Sequence, residues 1–432
     1  MTGSEHSLVV YLGGHAIADL SLQEDDLHWQ YRPEWQQQGF AVSPHLLLEG
    51  AIEPLNVQRF LRNLLPEGDG LDALLQSFRL SKHNTFGLIR ALGADTPGAL
   101  SMLASNAPGP KHNEFRPLST KELTNRLDQR DHFGLVIWDG KPRLSVAGVQ
   151  DKLNIVVLPD GQLGFGDGSL CSTHILKFEK QQQAHLVLNE YITMMLARAC
   201  GLQVADVALL RFGAHPALLV KRFDRRMTDN QTVQRRHMID GCQALNLPPE
   251  YKYERNFGSG RDVCHIREGA SLPGLFAFTN ACSNPALARQ TLLDWALFNL
   301  LVFNHDAHGK NISFFIGKSG LEITPFYDLV NIAMYPDFEQ DLAMALGDEF
   351  NSQTINAYQL ADFAESCGLP RHLVATRTRR LASALLKALG TIMPPEPLSK
   401  SENRYLTRYY TLVNERARHL LAQAREARSI SL

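Results

Sequence analysis

Asn304-His305-Asp306-Ala307-His308-Gly309-Lys310-Asn311 places six polar side chains in eight positions. It lies between an apolar helical pattern at 291–303 and an apolar strand pattern at 312–316. Polar groups gathered on a loop between two rigid elements are a usual way to build a site. Asp306 precedes Asn311 by five positions, the spacing between base aspartate and metal-binding asparagine in a protein-kinase catalytic loop. Seventeen residues after Asn311, Tyr327-Asp328 closes a second strand-like run. Phosphoryl transfer needs a carboxylate to accept the attacking hydroxyl's proton. It also needs an amide oxygen and a second carboxylate to hold Mg²⁺ against nucleotide phosphates. Asp306, Asn311 and Asp328 supply that set, and Lys310 can neutralise the transferring phosphate. The same loop admits another reading, in which His305, Asp306 and His308 bind a divalent metal for phosphate-ester hydrolysis. That reading needs a further ligand elsewhere, and no second such cluster is evident. His308 alone is more often a loop-orienting hydrogen-bond donor than a metal ligand.

Upstream, the chain is strand-rich. A β-branched run at 153–158 is followed by Pro159-Asp160-Gly161, a turn signal, and 162–165 can return as a hairpin partner. Further strands are expected at 174–178 and 217–223, with an amphipathic helix at 184–199 between them. Ser145, Val146, Ala147 and Gly148 belong to a small, flexible stretch leading into the first of these strands. Such a loop can present backbone N–H groups to phosphate oxygens, or be an ordinary connection. It matches no glycine-rich nucleotide motif. Lys177 sits among apolar neighbours on its strand. Its ammonium either snorkels to solvent or reaches nucleotide phosphates, as the strand lysine of kinases does; Glu190 on the next helix can pair with it. Lys221 to Phe223 end the last strand where two lobes would meet, and backbone there can bond an adenine edge beside the Phe223 ring.

The N-terminal part mixes a strand at 8–12 with helices at 55–65, 71–80 and 85–92, the last capped by Gly93. After about residue 230 the pattern turns helical, with clear helices at 357–367, 372–389 and 403–427. A sheet-rich half followed by a helical half predicts an α+β protein of two lobes with a cleft between them. Stretches 104–113 and 391–400 are Pro-rich, polar linkers.

Composition narrows the class. The 432 residues suggest two or three domains at roughly 150 residues each, and 44% hydrophobic with 20% charged residues excludes whole-chain disorder. The net charge of −2 gives no overall bias toward nucleic acid or anionic membrane. It hides an asymmetry: residues 371–432 carry twelve Lys/Arg against four Glu, a net of +8. Those cations either touch phosphates or form the solvated face of helices. Six cysteines without a C-x-x-C pair read as reduced thiols. No basic stretch precedes a long apolar run near Met1, and the run at 292–303 contains Asp294 and Asn299. Neither a signal peptide nor a membrane span is expected, and the cytoplasm is the expected compartment.

Taken together, four passages resemble the HipA family of bacterial serine/threonine kinase toxins. They are SVAGVQDK at 145–152; STHILKFE at 172–179 with NEY at 189–191; LVKRFDRR at 219–226 with CQALNLPPEYKYE at 242–254; and NHDAHGKN at 304–311 with TPFYDL at 324–329. NLLPEG at 63–68 and GADTPGAL at 93–100 are similar to the family's N-terminal domain. The resemblance spans nearly the whole chain, in the family's order. It implies a two-lobed fold distantly similar to protein and phosphatidylinositol kinases: an N-terminal subdomain (1–110), a sheet-rich N-lobe (111–224) and a mostly helical C-lobe (225–432). Carried over by motif, Asp306 resembles the catalytic base, Asn311 and Asp328 the Mg²⁺ ligands, and Lys177 the ATP-phosphate lysine. Residues 221–223 resemble the adenine-binding hinge. Ser145 matches the serine that family members autophosphorylate. Lys221 is a departure, since a Glu is expected there in the best-known members.

The resemblance further implies ATP and Mg²⁺ as cofactors, a HipB-like helix-turn-helix antitoxin as partner, and operator DNA bound through the complex. It implies a substrate among aminoacyl-tRNA synthetases, such as glutamyl-tRNA synthetase. Two rival readings stay open: a catalytically inactive kinase-like corepressor, and the metal-dependent phosphohydrolase.

Overall fold

A computed structural model of the chain describes residues 6–104, 114–143, 150–228, 232–395, 397–427 and 429–430. Ser145, Val146, Ala147, Gly148 and most of the 104–113 linker lie outside the described residues. The chain forms two compact units. One comprises Met1–Lys180, Leu210–Ile239 and Phe315–Gly320; the other comprises Gln181–Leu209, Asp240–Phe314 and Leu321–Leu432.

The first unit begins with a four-stranded antiparallel sheet, ordered Asp26–Tyr31, His15–Gln23, Ser7–Leu12, Leu100–Ala104. The turn at Glu24 and Asp25 takes positive φ, 50° and 72°, a conformation Asp tolerates because its short polar side chain bonds locally. Alternation sets the buried face: Leu27, Trp29 and Tyr31 point inward. Trp29 meets Phe60 edge-on at 6.0 Å, which seats the helix Pro54–Asn63. The helix Thr85–Leu92 starts at Asn84, whose side chain accepts from the Gly87 N–H, and ends at Gly93.

The same unit holds a larger mixed-length sheet. Its order runs Val207–Phe212, His215–Lys221, His174–Phe178, Lys152–Val157, Leu163–Gly166, Phe115–Pro117. The expected hairpin forms, with Val156 opposite Gly164 and Val157 opposite Leu163. Leu153, Ile155, Leu176, Phe178 and Ala217 all face one core, together with Leu123 and Leu127 of the helix Thr120–Asp128. Period-2 alternation therefore sends Asn154, Ile175 and Lys177 to the opposite face.

The second unit is mainly helical: Leu186–Ala199, Pro285–Leu301, Ala357–Ser366, Arg371–Ala388 and Lys400–Glu426. Capping boxes at Asn356/Gln359 and Ser399/Glu402 start two of them. Pro285–Leu301 is buried on nearly every side, and Trp295 and Phe298 are among the least exposed side chains. Its buried Asp294 is matched by two arginines of Arg371–Ala388: Arg377 grips it with two nitrogens and Arg380 donates at 2.8 Å. A hairpin, Asp341–Leu346 with Glu349–Asn351, interrupts the helical half. The sequence reading missed it because DLAMAL carries no β-branched residue and reads as helix-compatible.

Candidate active site

The loop is built from its preceding helix outward. Pro285–Leu301 ends at Val302, and Phe303 takes a positive φ of 56°, a conformation rare for bulky residues and common at functional sites. Asn304 then folds back. Its N–H bonds the Asn299 carbonyl at 2.9 Å, and its side-chain nitrogen bonds Asn299 Oδ1 at 2.9 Å. The polar residue that made the run unfit for a membrane is thus the anchor of the loop. Among the described residues no helix is long and apolar enough to cross a membrane.

Asp306 and Asn311 are brought together by the loop itself. Asn311 Nδ2 donates to the Asp306 carbonyl at 2.7 Å, and the His308 N–H donates to the same carbonyl at 2.8 Å. The one-turn helix Gly309–Asn311 completes the curl, and His308 Nδ1 accepts the Lys310 N–H at 3.2 Å. His308 therefore orients the loop. Gly309 packs so tightly that an added Cβ would fall 2.6 Å from Ala270 Cβ and 3.0 Å from Cys242 Sγ.

Asp328 belongs to the neighbouring turn. Two contacts stitch that turn to the loop: Tyr327 Oη donates to the Lys310 carbonyl at 2.8 Å, and Asn304 Nδ2 reaches the Asp328 carbonyl at 3.4 Å. Asp328 itself is half-buried, with φ at 53°. The donor set fits Mg²⁺. Asn311 spends its amide nitrogen inside the loop, which would leave its oxygen for a metal, and Asp328 would add a carboxylate; both are the hard oxygens this ion prefers.

Two candidate residues are held by neighbouring polar groups. The Lys310 ammonium is buried against Asp240 Oδ2 at 2.7 Å, while Asp240 Oδ1 caps the helix Gly241–Ala244 by accepting the Gln243 N–H. Lys310 thereby fixes the loop to a helix start. His305 is buried, with Nε2 2.9 Å from Ser352 Oγ, and burial lowers its pKa to about 4. Among the described residues no group of three His, Cys, Asp or Glu is placed to hold a metal, so His305, Asp306 and His308 do not assemble a metal centre. A further residue, passed over in the sequence, touches the loop: Tyr253 Oη donates to Asp306 Oδ1 at 2.6 Å. No local pattern marks a contact across fifty-three residues.

In the first unit, Lys177 is buried and pairs across the sheet with Leu218 on one side and Lys152 on the other. Cross-strand partners share a face, so a second buried lysine stands beside it, also unremarked in the sequence because register is not visible there. Lys221 is exposed at its strand end, and the Phe223 ring meets Phe315 edge-on at 5.8 Å. Between them Arg222 enters a buried ionic cluster. Arg222 and Arg225 both bond Asp224, and Arg225 also bonds Asp95 at 3.1 Å. Arg235 donates to the carbonyls of Ala94, Thr96, Gly98 and Leu100. Burial alone would raise the Asp95 and Asp224 carboxyls, but the adjacent arginines hold both below the usual range. The GADTPGAL and KRFDRR segments are thus one cross-braced structure.

Residues 144–389 match the family model for the HipA-like C-terminal domain, and residues 8–103 match that for the HipA N-terminal domain. The chain belongs to the HipA family. It is 46% identical, over 435 aligned positions covering all of both chains, to the serine/threonine-protein kinase toxin HipA of Shewanella oneidensis. A solved structure of HipA from that organism, in complex with HipB and its operator DNA, matches with a TM-score of 0.91 over 98% of this chain and 100% of that one. HipA membership makes this enzyme one of the serine/threonine-protein kinase class, with the kinase-like α+β fold its motifs implied.

Proposed function

We propose that this HipA-family protein is an ATP- and Mg²⁺-dependent serine/threonine-protein kinase that acts as the toxin of a toxin–antitoxin pair. The observation that carries the reading is the closed loop in which one backbone carbonyl, that of Asp306, is held by both His308 and Asn311. That curl sets the backbone of the carboxylate-bearing Asp306 and the amide of Asn311 on one piece, beside the turn bearing Asp328. Asp306 accepts the proton of the attacking hydroxyl, a role worth about 10²–10⁴ in rate. Asn311 and Asp328 would hold Mg²⁺, which when bound neutralises charge on the phosphates. Lys177, with Lys152 beside it, binds phosphate oxygens, and backbone of 221–223 bonds the adenine edge. His308 and Lys310 serve ATP binding by shaping the loop. Residues 1–110, 111–224 and 225–432 act as N-terminal subdomain, N-lobe and C-lobe.

Ser145 is the autophosphorylation site, and Val146, Ala147 and Gly148 offer backbone to the nucleotide. A phosphate on Ser145 adds roughly −1.5 to −2 of charge beside the place meant for ATP phosphates, so the modified protein binds Mg-ATP more weakly. A HipB-like antitoxin neutralises the enzyme, and the pair represses its operon through operator DNA in the cytoplasm. The phosphorylated target is a translation component, an aminoacyl-tRNA synthetase such as glutamyl-tRNA synthetase. Arg377 and Arg380 both bond Asp294, so a phosphate contact from either competes with that pair.

Incubation with radiolabelled ATP and Mg²⁺ tests the reading. Label transferred to the protein, with phosphoproteomics identifying the synthetase, supports it. An unlabelled protein would support the inactive corepressor instead, and ester hydrolysis without ATP would support the phosphohydrolase.

A further inference from the structure

An aspartate's terminal torsion is broad and roughly two-fold, so a base on a loop needs something to set its carboxylate. The Asp306 curl is fixed through its backbone carbonyl; the carboxylate is met by Tyr253, whose hydroxyl donates to Oδ1 at 2.6 Å. Tyr253 is itself held on both sides. The Lys252 carbonyl accepts the Gly309 N–H at 2.9 Å, and the Tyr251 carbonyl accepts the Ala270 N–H at 2.8 Å. Glu254 donates its N–H to the Ala343 carbonyl at 2.9 Å, and its buried side chain accepts from the Ala345 N–H at 2.7 Å and from Arg267. The Tyr253 ring stands edge-on to His308, centroids 5.1 Å apart and planes at 88°. With 36% of the residue exposed, the phenol meets Asp306 on a side open to solvent.

We propose that Tyr253 is a positioning residue of the kinase reaction: its phenol holds Asp306 Oδ1, so that Oδ2 is turned to the substrate hydroxyl. The inference rests on the kinase reading of Asp306. Because the segment is anchored by its backbone and by Glu254, the hydroxyl's task is orientation of the carboxylate, not cohesion of the fold.

The test compares full-length wild type, Tyr253→Phe and Asp306→Asn in autophosphorylation followed by intact mass, over a titration of Mg-ATP, with melting curves for each. Phenylalanine keeps the ring on His308 and removes only the donor. Expected is a maximal rate lowered roughly ten- to a hundredfold, the scale of a misplaced reacting group, with half-saturating ATP and melting temperature unchanged. An unchanged or faster rate in Tyr253→Phe overturns the proposal, because the phenol would then be idle or a block. Rate and melting temperature falling together overturn it in favour of a structural role. Phosphate mapped onto Tyr253 overturns it too, making the phenol an acceptor. If wild type and Asp306→Asn are equally silent, the kinase reading itself fails and takes the proposal with it, an outcome recognisable because no variant then differs from another.

Discussion

Gly309 and Asp328 show how single residues hold this site. An added methyl at 309 would meet Ala270 and Cys242 at 2.6 and 3.0 Å. Overpacking of that kind costs about 1–3 kcal/mol, so Gly309→Ala should lower the urea midpoint measured by fluorescence and slow phosphate transfer together. Asp328 pairs a positive φ with a half-buried carboxylate. Asp328→Asn keeps the shape and removes the charge, so calorimetry should find Mg-ATP binding weakened while the melting temperature holds; unchanged affinity would remove Asp328 from the metal site. At this scale the sequence was informative where chemistry repeats at a fixed spacing. Asp306 and Asn311 could be paired from their five-residue separation because one loop carries both. Tyr253 and Lys152 could not, because their contacts depend on a distant segment and on strand register. Nor does anything in the sequence say that Asp240 lies 2.7 Å from the Lys310 ammonium.

Elements explain why some motifs extend beyond the site. GADTPGAL has no evident chemistry as a string, yet its carbonyls receive Arg225 and Arg235, and its Asp95 completes a cluster with Asp224. The cluster braces the chain at Arg222, next to the proposed hinge. Removing one partner of a buried ion pair leaves uncompensated charge at a cost of roughly 3–5 kcal/mol. Asp224→Asn should show a loss of that order in denaturant titration, and a loss under 1 kcal/mol would mean the cluster is not tightly coupled. Helices and strands with strong periodicity were legible: 174–178 and 85–92 coincide with observed elements. The hairpin at Asp341–Leu346 was not, since its stability comes from tertiary contacts, including the bond from the Ala343 N–H to the His305 carbonyl at 2.9 Å. Its pairing beneath the loop is what overrides weak local preference.

At the level of the whole molecule, buried histidines tie stability to pH. His237 and His305 both have pKa values lowered to about 4, chiefly by burial. The His237 ring bonds as a neutral imidazole, with Nε2 2.8 Å from the Val42 carbonyl and Nδ1 facing the Ala99 N–H. An unfolded histidine takes up its proton near pH 6.5, well before the folded one does. Stability is therefore fully present above about 6.5 and is lost as pH falls toward 4. The interval corresponds to roughly 3 kcal/mol for each histidine. Urea unfolding at pH 7.5 and pH 5 should show about 2 kcal/mol of that loss for each histidine, and a flat profile would contradict the burial of both rings. The order of the motifs along the chain made the family and its kinase fold legible, whereas the chain's return to the first unit at Leu210–Ile239 and Phe315–Gly320 carries no local sequence signal. The proposed kinase activity stands on Asp306 as the base of a phosphoryl-transfer site. Its most direct test is single-turnover phosphate transfer from Mg-ATP by wild type and Asp306→Asn, with nucleotide affinity measured on the same samples. Expected is a rate lower by about 10²–10⁴ at nearly unchanged ATP affinity; an Asp306→Asn enzyme as fast as wild type would overturn the assignment.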